Sequence, residues 1–264
     1  MNRIDQKFES LKNQQKKALS VFLTAGYPSL VLTEQLIGNL EKLGVDFFEI
    51  GLPFSDPIAD GAIIQKSSEV ALKNGVTWEK VLELVKRVRV KSQVPLLLMG
   101  YANSFYCRGW KKSIQECAEA GVDGVIIPDL VPDHQPELSA GFASKGIHLI
   151  YLVAPTSPLS RIKKIVAASK GFVYCVSVTG VTGARKSYDY FHVENFINKV
   201  RSCSKVPVVL GFGISEPEQC VRLKKSVDGF VIGSRMIRAI GESSEPAKII
   251  QAAQKLIQPF IQVM

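Results

Sequence analysis

The chain is 264 residues long, above the size of a typical domain and matching a one-domain α/β barrel. Its 33 Lys and Arg against 24 Asp and Glu give a net charge of +9, but the bases are scattered over helical segments with acids among them. They therefore form solvated faces suited to small anions rather than a nucleic-acid stripe. Five cysteines without a C-x-x-C pair argue against a disulfide framework or zinc site, and no run reaches membrane-spanning length or forms an apolar signal core, so a soluble, cytoplasmic protein with reduced thiols is expected.

In chain order, residues 3–13 predict a helix placed to close one end of a barrel. A first strand over 19–24 runs out at Thr24 and Gly26 and precedes a helix over 31–43. A second strand over 45–50 carries Glu49 and is followed by a Pro/Gly-broken loop with Pro53, Asp56, Pro57 and Asp60, an inserted helix over 63–73 and a helix over 77–90. Strands over 95–100 and 124–128 end near Tyr101, Asn103 and Asp129, with a helix over 111–120 between them and one over 136–145 after. Strands over 148–153 and 171–177 follow, each with a helix behind it (158–169 and 193–202). The last two strands, 207–211 and 229–233, end at Phe212 with Gly213 and at Gly233 with Ser234, followed by helices over 216–225 and 246–262.

These eight strands are apolar almost throughout, as in V-P-L-L-L-M and V-P-V-V-L, which fits strands covered on both faces and joined by right-handed βα units. The expected architecture is a (β/α)8 TIM barrel, one domain over 1–264, with its chemistry at the carboxyl ends of the strands.

Glu49 lies in the apolar run Val45 to Leu52, where a desolvated carboxylate is costly unless its pKa rises or it gains a partner. It is either a general acid/base or a side chain that tips out to solvent or caps the next turn. Three glycine-bearing turns, T-G-V-T-G-A-R at 179–185, G-F-G-I-S at 211–215 and I-G-S-R-M at 232–236, form either a phosphate cradle or plain βα turns. G-F-G-I-S fails the dinucleotide pattern, because Glu216 stands where the third glycine would be. Phe22, Met99, Ile127 and Phe212 line an apolar slot for a flat heteroaromatic group, or fill barrel layers. None of these strand ends carries a lysine for Schiff-base chemistry, and the three histidines, His134, His148 and His192, are isolated. What remains is carboxylate acid/base chemistry on a phosphorylated substrate.

The stretches F-E-I-G-L-P-F-S-D-P-I-A-D-G (48–61), L-T-A-G-Y-P (23–28), G-Y-A-N (100–103), S-V-T-G-V-T-G-A-R (177–185) and G-F-G-I (211–214) closely resemble the tryptophan synthase alpha subunit, nearly end to end. The resemblance implies retro-aldol cleavage of indole-3-glycerol phosphate to indole and glyceraldehyde 3-phosphate, without metal or cofactor. It implies Glu49 as the acid/base and Asp60 as the carboxylate that stabilises positive charge on the indole ring. Tyr174, with Phe22, Tyr101, Ile127 and Phe212, would contact substrate, and Gly183, Gly213, Gly233 and Ser234 would hold the phosphate. The family works as an alpha2beta2 complex whose beta subunit carries pyridoxal phosphate. Pro53, Asp56, Pro57 and Thr182 match loops that face this partner, and the segment 180–183 is expected to be disordered without ligand. The stretch L-V-P-D-H-Q-P-E after Asp129 departs from the family pattern at His134 and Gln135. Two other readings stay open: a subunit that only activates its partner, and a phosphosugar isomerase on the same fold.

Overall fold

The computed structural model describes residues 1–133, 136–176 and 189–264. Nine strands pair in parallel: β1 (Ala18–Thr24), β2 (Phe47–Gly51), β3 (Leu96–Met99), β4 (Gly124–Ile126), β5 (His148–Ile150), β6 (Leu152–Val153), β7 (Val173–Val176), β8 (Val208–Gly211) and β9 (Gly229–Ile232). Their order is β5-β4-β3-β2-β1-β9-β8-β7-β6. The two ends of that order are halves of one run, interrupted only at Tyr151: β5 pairs with β4, and β6 with β7. The sheet therefore closes on itself as eight staves, the expected TIM barrel.

Twelve helices are seen among the described residues. They are α1 (Arg3–Asn13), α2 (Leu30–Leu43), α3 (Ala62–Lys73), α4 (Trp78–Lys91), α5 (Ala102–Tyr106), α6 (Trp110–Ala120), α7 (Pro136–Ser144), α8 (Leu159–Ala168), α9 (Tyr190–Arg201), α10 (Pro217–Leu223), α11 (Ser234–Ile240) and α12 (Pro246–Val263). Local chemistry sets several boundaries. The Ser29 side chain accepts from Leu32 N–H to start α2, and Gly44, at φ 113°, ends it in a left-handed conformation that a side chain would resist. Thr77 caps α4 in the same way as Ser29 caps α2. The five-residue α5 was not expected, because it is too short to show a helical period. The second strand begins at Phe47 rather than 45, since Asp46 is occupied accepting from Leu19 N–H at 3.0 Å.

As expected, α1 closes the amino-terminal end of the barrel. Its Phe8 ring lies 4.9 Å from Phe47 and 5.8 Å from Phe172, and Ile4 sits against Gly124 and Gly171, where a β-carbon would strike it. His148, at the start of β5, pairs with Asp5 of α1 at 2.8 Å and so lies at the end opposite the chemistry.

The same end is tied together by Asp123. Its carboxylate accepts from Arg3 (2.9 Å), Arg89 (2.8 Å) and Leu96 N–H (2.9 Å), and its carbonyl accepts from Asn2 (2.8 Å). Arg89 also donates to the carbonyls of Ser92, Val94 and Gly121. The Asp123 side chain is 4% exposed and that of Arg89 12%, so removing the acid strands a buried cation. Asp123→Ala should lower unfolding free energy by about 3 kcal/mol in chemical denaturation while the folded protein keeps its activity. A loss below about 1 kcal/mol would show that the network is dispensable.

Candidate active site

Strand alternation and barrel tilt together build the site. Ser20 and Phe22 on β1, and Phe47, Glu49 and Gly51 on β2, occupy alternate positions and so share the inner face. In register Ser20 is opposite Phe47 and Phe22 opposite Glu49, yet the tilt lays each β1 side chain on the β2 residue two further along. Ser20 therefore reaches Glu49, and the Phe22 ring covers Gly51, where a β-carbon would lie 2.5 Å from the ring. The relation repeats across the barrel: Tyr174 on β7 is opposite Val209 but lies over Gly211, whose β-carbon would collide with the tyrosine ring. Two strand-end glycines thus make room for two aromatic rings that would otherwise have no place inside the staves.

Glu49 is 1% exposed. Ser20 Oγ donates to its Oε1 at 3.2 Å, while Oε2 is buried with no hydrogen-bond partner among the described residues. Burial pushes its pKa from the ordinary 4.5 up to about 8, against a smaller downward pull from the hydroxyls of Ser20 and then Tyr174. Tyr174 is itself pushed well above 10 by burial, and further by the Glu49 charge, so its hydroxyl stays protonated. The side chain does not tip to solvent.

Asp60 lies on the loop after β2, half-buried, and its Oδ2 accepts from the Tyr101 hydroxyl at 2.9 Å. Burial raises its pKa to about 6, and the Tyr101 hydrogen bond opposes the rise. The Tyr101 oxygen also accepts from Ala59 N–H at 2.9 Å, and its ring stacks on Phe54 at 5.3 Å, so one tyrosine holds the loop and its carboxylate together. Sequence reasoning placed Tyr101 at a strand end but missed this bond, because a loop's path is not readable from spacing.

Phe22, Leu52, Ile64, Met99, Tyr101 and Pro128, together with Asp60, wall a cleft of about 290 Å³ that includes open solvent. Met99 and Phe22 reach it; Ile127 is 1% exposed and is not among the lining residues, its place being taken by Pro128. Phe212 stands over Tyr174 at 5.7 Å, edge to face. Its φ of 60° puts a bulky aromatic in the left-handed region, a conformation costing about 1 kcal/mol that the turn at the end of β8 imposes. Gly213 continues that turn at φ 99°. Buried Gln219, unforeseen from sequence, holds it by accepting from the N–H groups of Ser215 and Glu216 and donating to the Gly213 carbonyl.

Gly233 caps α11, which starts at Ser234. Gly183 and Thr182, the expected order of the segment 180–183, and His134 with Gln135 lie outside the described residues. In the loop after β2, Asp56 and Ile58 are exposed, Pro53 is half-buried and Pro57 is buried, so the loop offers Asp56 and Ile58 rather than Pro57 to its surroundings. Among the described residues no three His, Cys, Asp or Glu side chains gather as a metal site, and no helix is long and apolar enough to cross a membrane.

The carboxyl-terminal side of the barrel thus holds a buried carboxyl, Glu49, whose raised pKa favours the protonated form at neutral pH, and a cleft-lining carboxyl, Asp60, whose smaller rise leaves it mostly ionised there. The family model described as "Tryptophan synthase alpha chain" matches residues 8–263. The chain is 41% identical over 264 residues, all of both chains, to the tryptophan synthase alpha chain of Thermoanaerobacter sp. (strain X514). It is 46% identical over 244 residues, 92% of each chain, to that of Geotalea daltonii. Among solved structures it resembles the tryptophan synthase subunit alpha of Legionella pneumophila str. Paris, with TM-score 0.91 and 35% identity over 100% of this chain and 98% of that one.

Proposed function

From the premise that this chain belongs to the tryptophan synthase alpha-chain family, we propose how its residues perform the family's reaction. The chain is a lyase that cleaves indole-3-glycerol phosphate. The observation that carries the residue assignment is a buried Glu49 on the inner face of β2, one oxygen of it unpartnered among the described residues, followed on the next loop by an ionisable Asp60 that lines the cleft.

Protonated Glu49 gives its proton to carbon three of the indole ring, leaving a cation shared with the ring nitrogen. The ionised Asp60 accepts from the ring N–H and stabilises that cation. Glu49, now a carboxylate, takes the proton of the adjacent glycerol hydroxyl. That O–H electron pair becomes the carbonyl of glyceraldehyde 3-phosphate, the carbon–carbon bond breaks, and its electrons return to the ring and neutralise the nitrogen. Glu49 ends protonated, as it began, so no external proton or redox partner is needed.

Phe22, Tyr101, Tyr174 and Phe212 frame the flat ring, and Ile127 supports the wall from behind. Gly213, Gly233, Ser234 and, from the sequence, Gly183 bind the phosphate. The family's pyridoxal phosphate belongs to the beta subunit, and this chain's own side chains carry the cleavage. It works beside a beta subunit in an alpha2beta2 complex in the cytoplasm, as one domain, with the loop carrying Pro53, Asp56 and Pro57 and the segment with Thr182 toward the partner. Exposed Ile58, 78% accessible, supports an interface on that loop.

The pH dependence tests the assignment. Asp60 must be ionised, so kcat should rise as pH passes about 6; Glu49 must be protonated, so kcat should fall as pH passes about 8. A bell with limbs near those values is the expected profile of indole release. A rate that stays flat from pH 5 to 9 with substrate saturating would overturn both roles.

A further inference from the structure

Glu49 has two oxygens in unlike settings. Oε1 accepts from Ser20 Oγ at 3.2 Å, in a contact buried on both sides, while Oε2 has no hydrogen-bond partner among the described residues. Ser20 is 4% exposed in a strand whose seven residues are all buried, where an aliphatic side chain would pack without a polar atom to satisfy. Its hydroxyl has no other hydrogen-bond partner than Glu49 among the described residues. On the other sides stand Leu97 of β3, the register partner of Glu49, and Tyr174 of β7, whose neutral hydroxyl also favours the ionised Glu49, though less than Ser20 does. The Asp60 charge bears on Tyr174, and the causes that shift Glu49 are its burial and the Ser20 and Tyr174 hydroxyls.

We propose that Ser20 is a positioning residue for the cleavage: by donating to Oε1 it fixes the carboxyl plane and leaves Oε2 as the oxygen that exchanges a proton with the substrate. The inference rests on the assignment of Glu49 as acid/base. A carboxyl with both oxygens free would rotate, and its proton would be shared between them. With Oε1 engaged as an acceptor, the proton of the neutral acid resides on Oε2, which then both delivers it to the ring carbon and recovers one from the hydroxyl. The same hydrogen bond favours the ionised form, so Ser20 also keeps Glu49 from becoming too weak an acid.

The test compares wild type, Ser20→Ala, Ser20→Thr and Glu49→Gln, each with a tryptophan synthase beta subunit present, by pH profiles of kcat and KM for indole release. Losing a hydrogen bond to a charged group should move the alkaline limb of Ser20→Ala up by about one pH unit. The acid limb should stay in place. At neutral pH kcat should fall about tenfold, as expected for a misplaced acid/base, with KM within about twofold. Ser20→Thr, which keeps the hydroxyl, should retain the wild-type limb. An alkaline limb unmoved in Ser20→Ala, or a limb that persists in the residual activity of Glu49→Gln, would overturn the proposal. A second readout is independent of turnover. Between pH 5 and 9 the folding stability of Ser20→Ala should depend on pH differently from that of wild type, and the difference should vanish in the Glu49→Gln background. Wild-type protein that releases no indole would defeat the lyase assignment, while this stability comparison would still decide whether Ser20 controls Glu49.

Discussion

Glu49→Gln should lower kcat for indole release by about 10³-fold, the scale of a lost general acid/base, and leave KM within a few-fold of wild type. Gln preserves the size of the side chain and can still accept from Ser20, so the loss isolates the proton. The same substitution should not weaken the fold. A carboxyl whose folded-state pKa is raised from 4.5 to about 8 binds its proton more tightly when folded. Its charged form is therefore a cost to stability that is absent below about pH 4.5, grows as pH rises and levels off above about 8. At pH 7 that cost is on the order of 3 kcal/mol for a group so completely buried. Wild type should accordingly lose stability relative to Glu49→Gln between pH 5 and 8, as read from denaturation midpoints at several pH values. An active Glu49→Gln would remove the acid/base role, and a stability difference independent of pH would remove the raised pKa.

Asp60→Asn should lower kcat by about 10²-fold, the scale of one oriented electrostatic group, with substrate binding largely kept. Asn can still accept from the Tyr101 hydroxyl, which now donates to Oδ2 at 2.9 Å, so the loop should hold its path. What disappears is the negative charge facing the ring cation. The acid limb near pH 6 should vanish with it, because that limb reports the Asp60 carboxyl. Loss of binding with an unchanged rate for bound substrate would instead make Asp60 a ground-state contact.

Much of this was legible before any coordinates. The apolar runs specified eight staves because parallel strands are covered on both faces, and Glu49 stood out because an acid inside such a run has to be explained. Asp60 was visible on the loop beyond Glu49, but its role came from the resemblance, and its distance from Glu49 in sequence carries no geometry. What could not be read depends on tilt and register. Ser20 looks like any small residue in a strand until the diagonal offset of β1 on β2 brings it to Glu49. The same offset explains why Gly51 and Gly211, ordinary strand ends in the sequence, accommodate Phe22 and Tyr174. Ile127 follows directly on β4, which ends at Ile126, and the next residue, Pro128, lines the cleft, a detail of the turn that an apolar run does not reveal. The break at Tyr151 was hidden because hydrophobicity runs straight through it.

The two alternatives weighed from the sequence fare differently. A purely activating subunit would have no need to maintain Glu49 at 1% exposure, where its charge is costly. A phosphosugar isomerase would have no need for the apolar wall that Phe22, Leu52, Met99 and Tyr101 build around the cleft.

The most direct test is indole release from indole-3-glycerol phosphate by the purified chain, alone and with a tryptophan synthase beta subunit, wild type beside Glu49→Gln. Release by wild type that rises with the partner and falls about 10³-fold on substitution is the predicted result. Folded wild-type protein that releases no indole with a competent partner, or Glu49→Gln protein that matches it, would contradict the account.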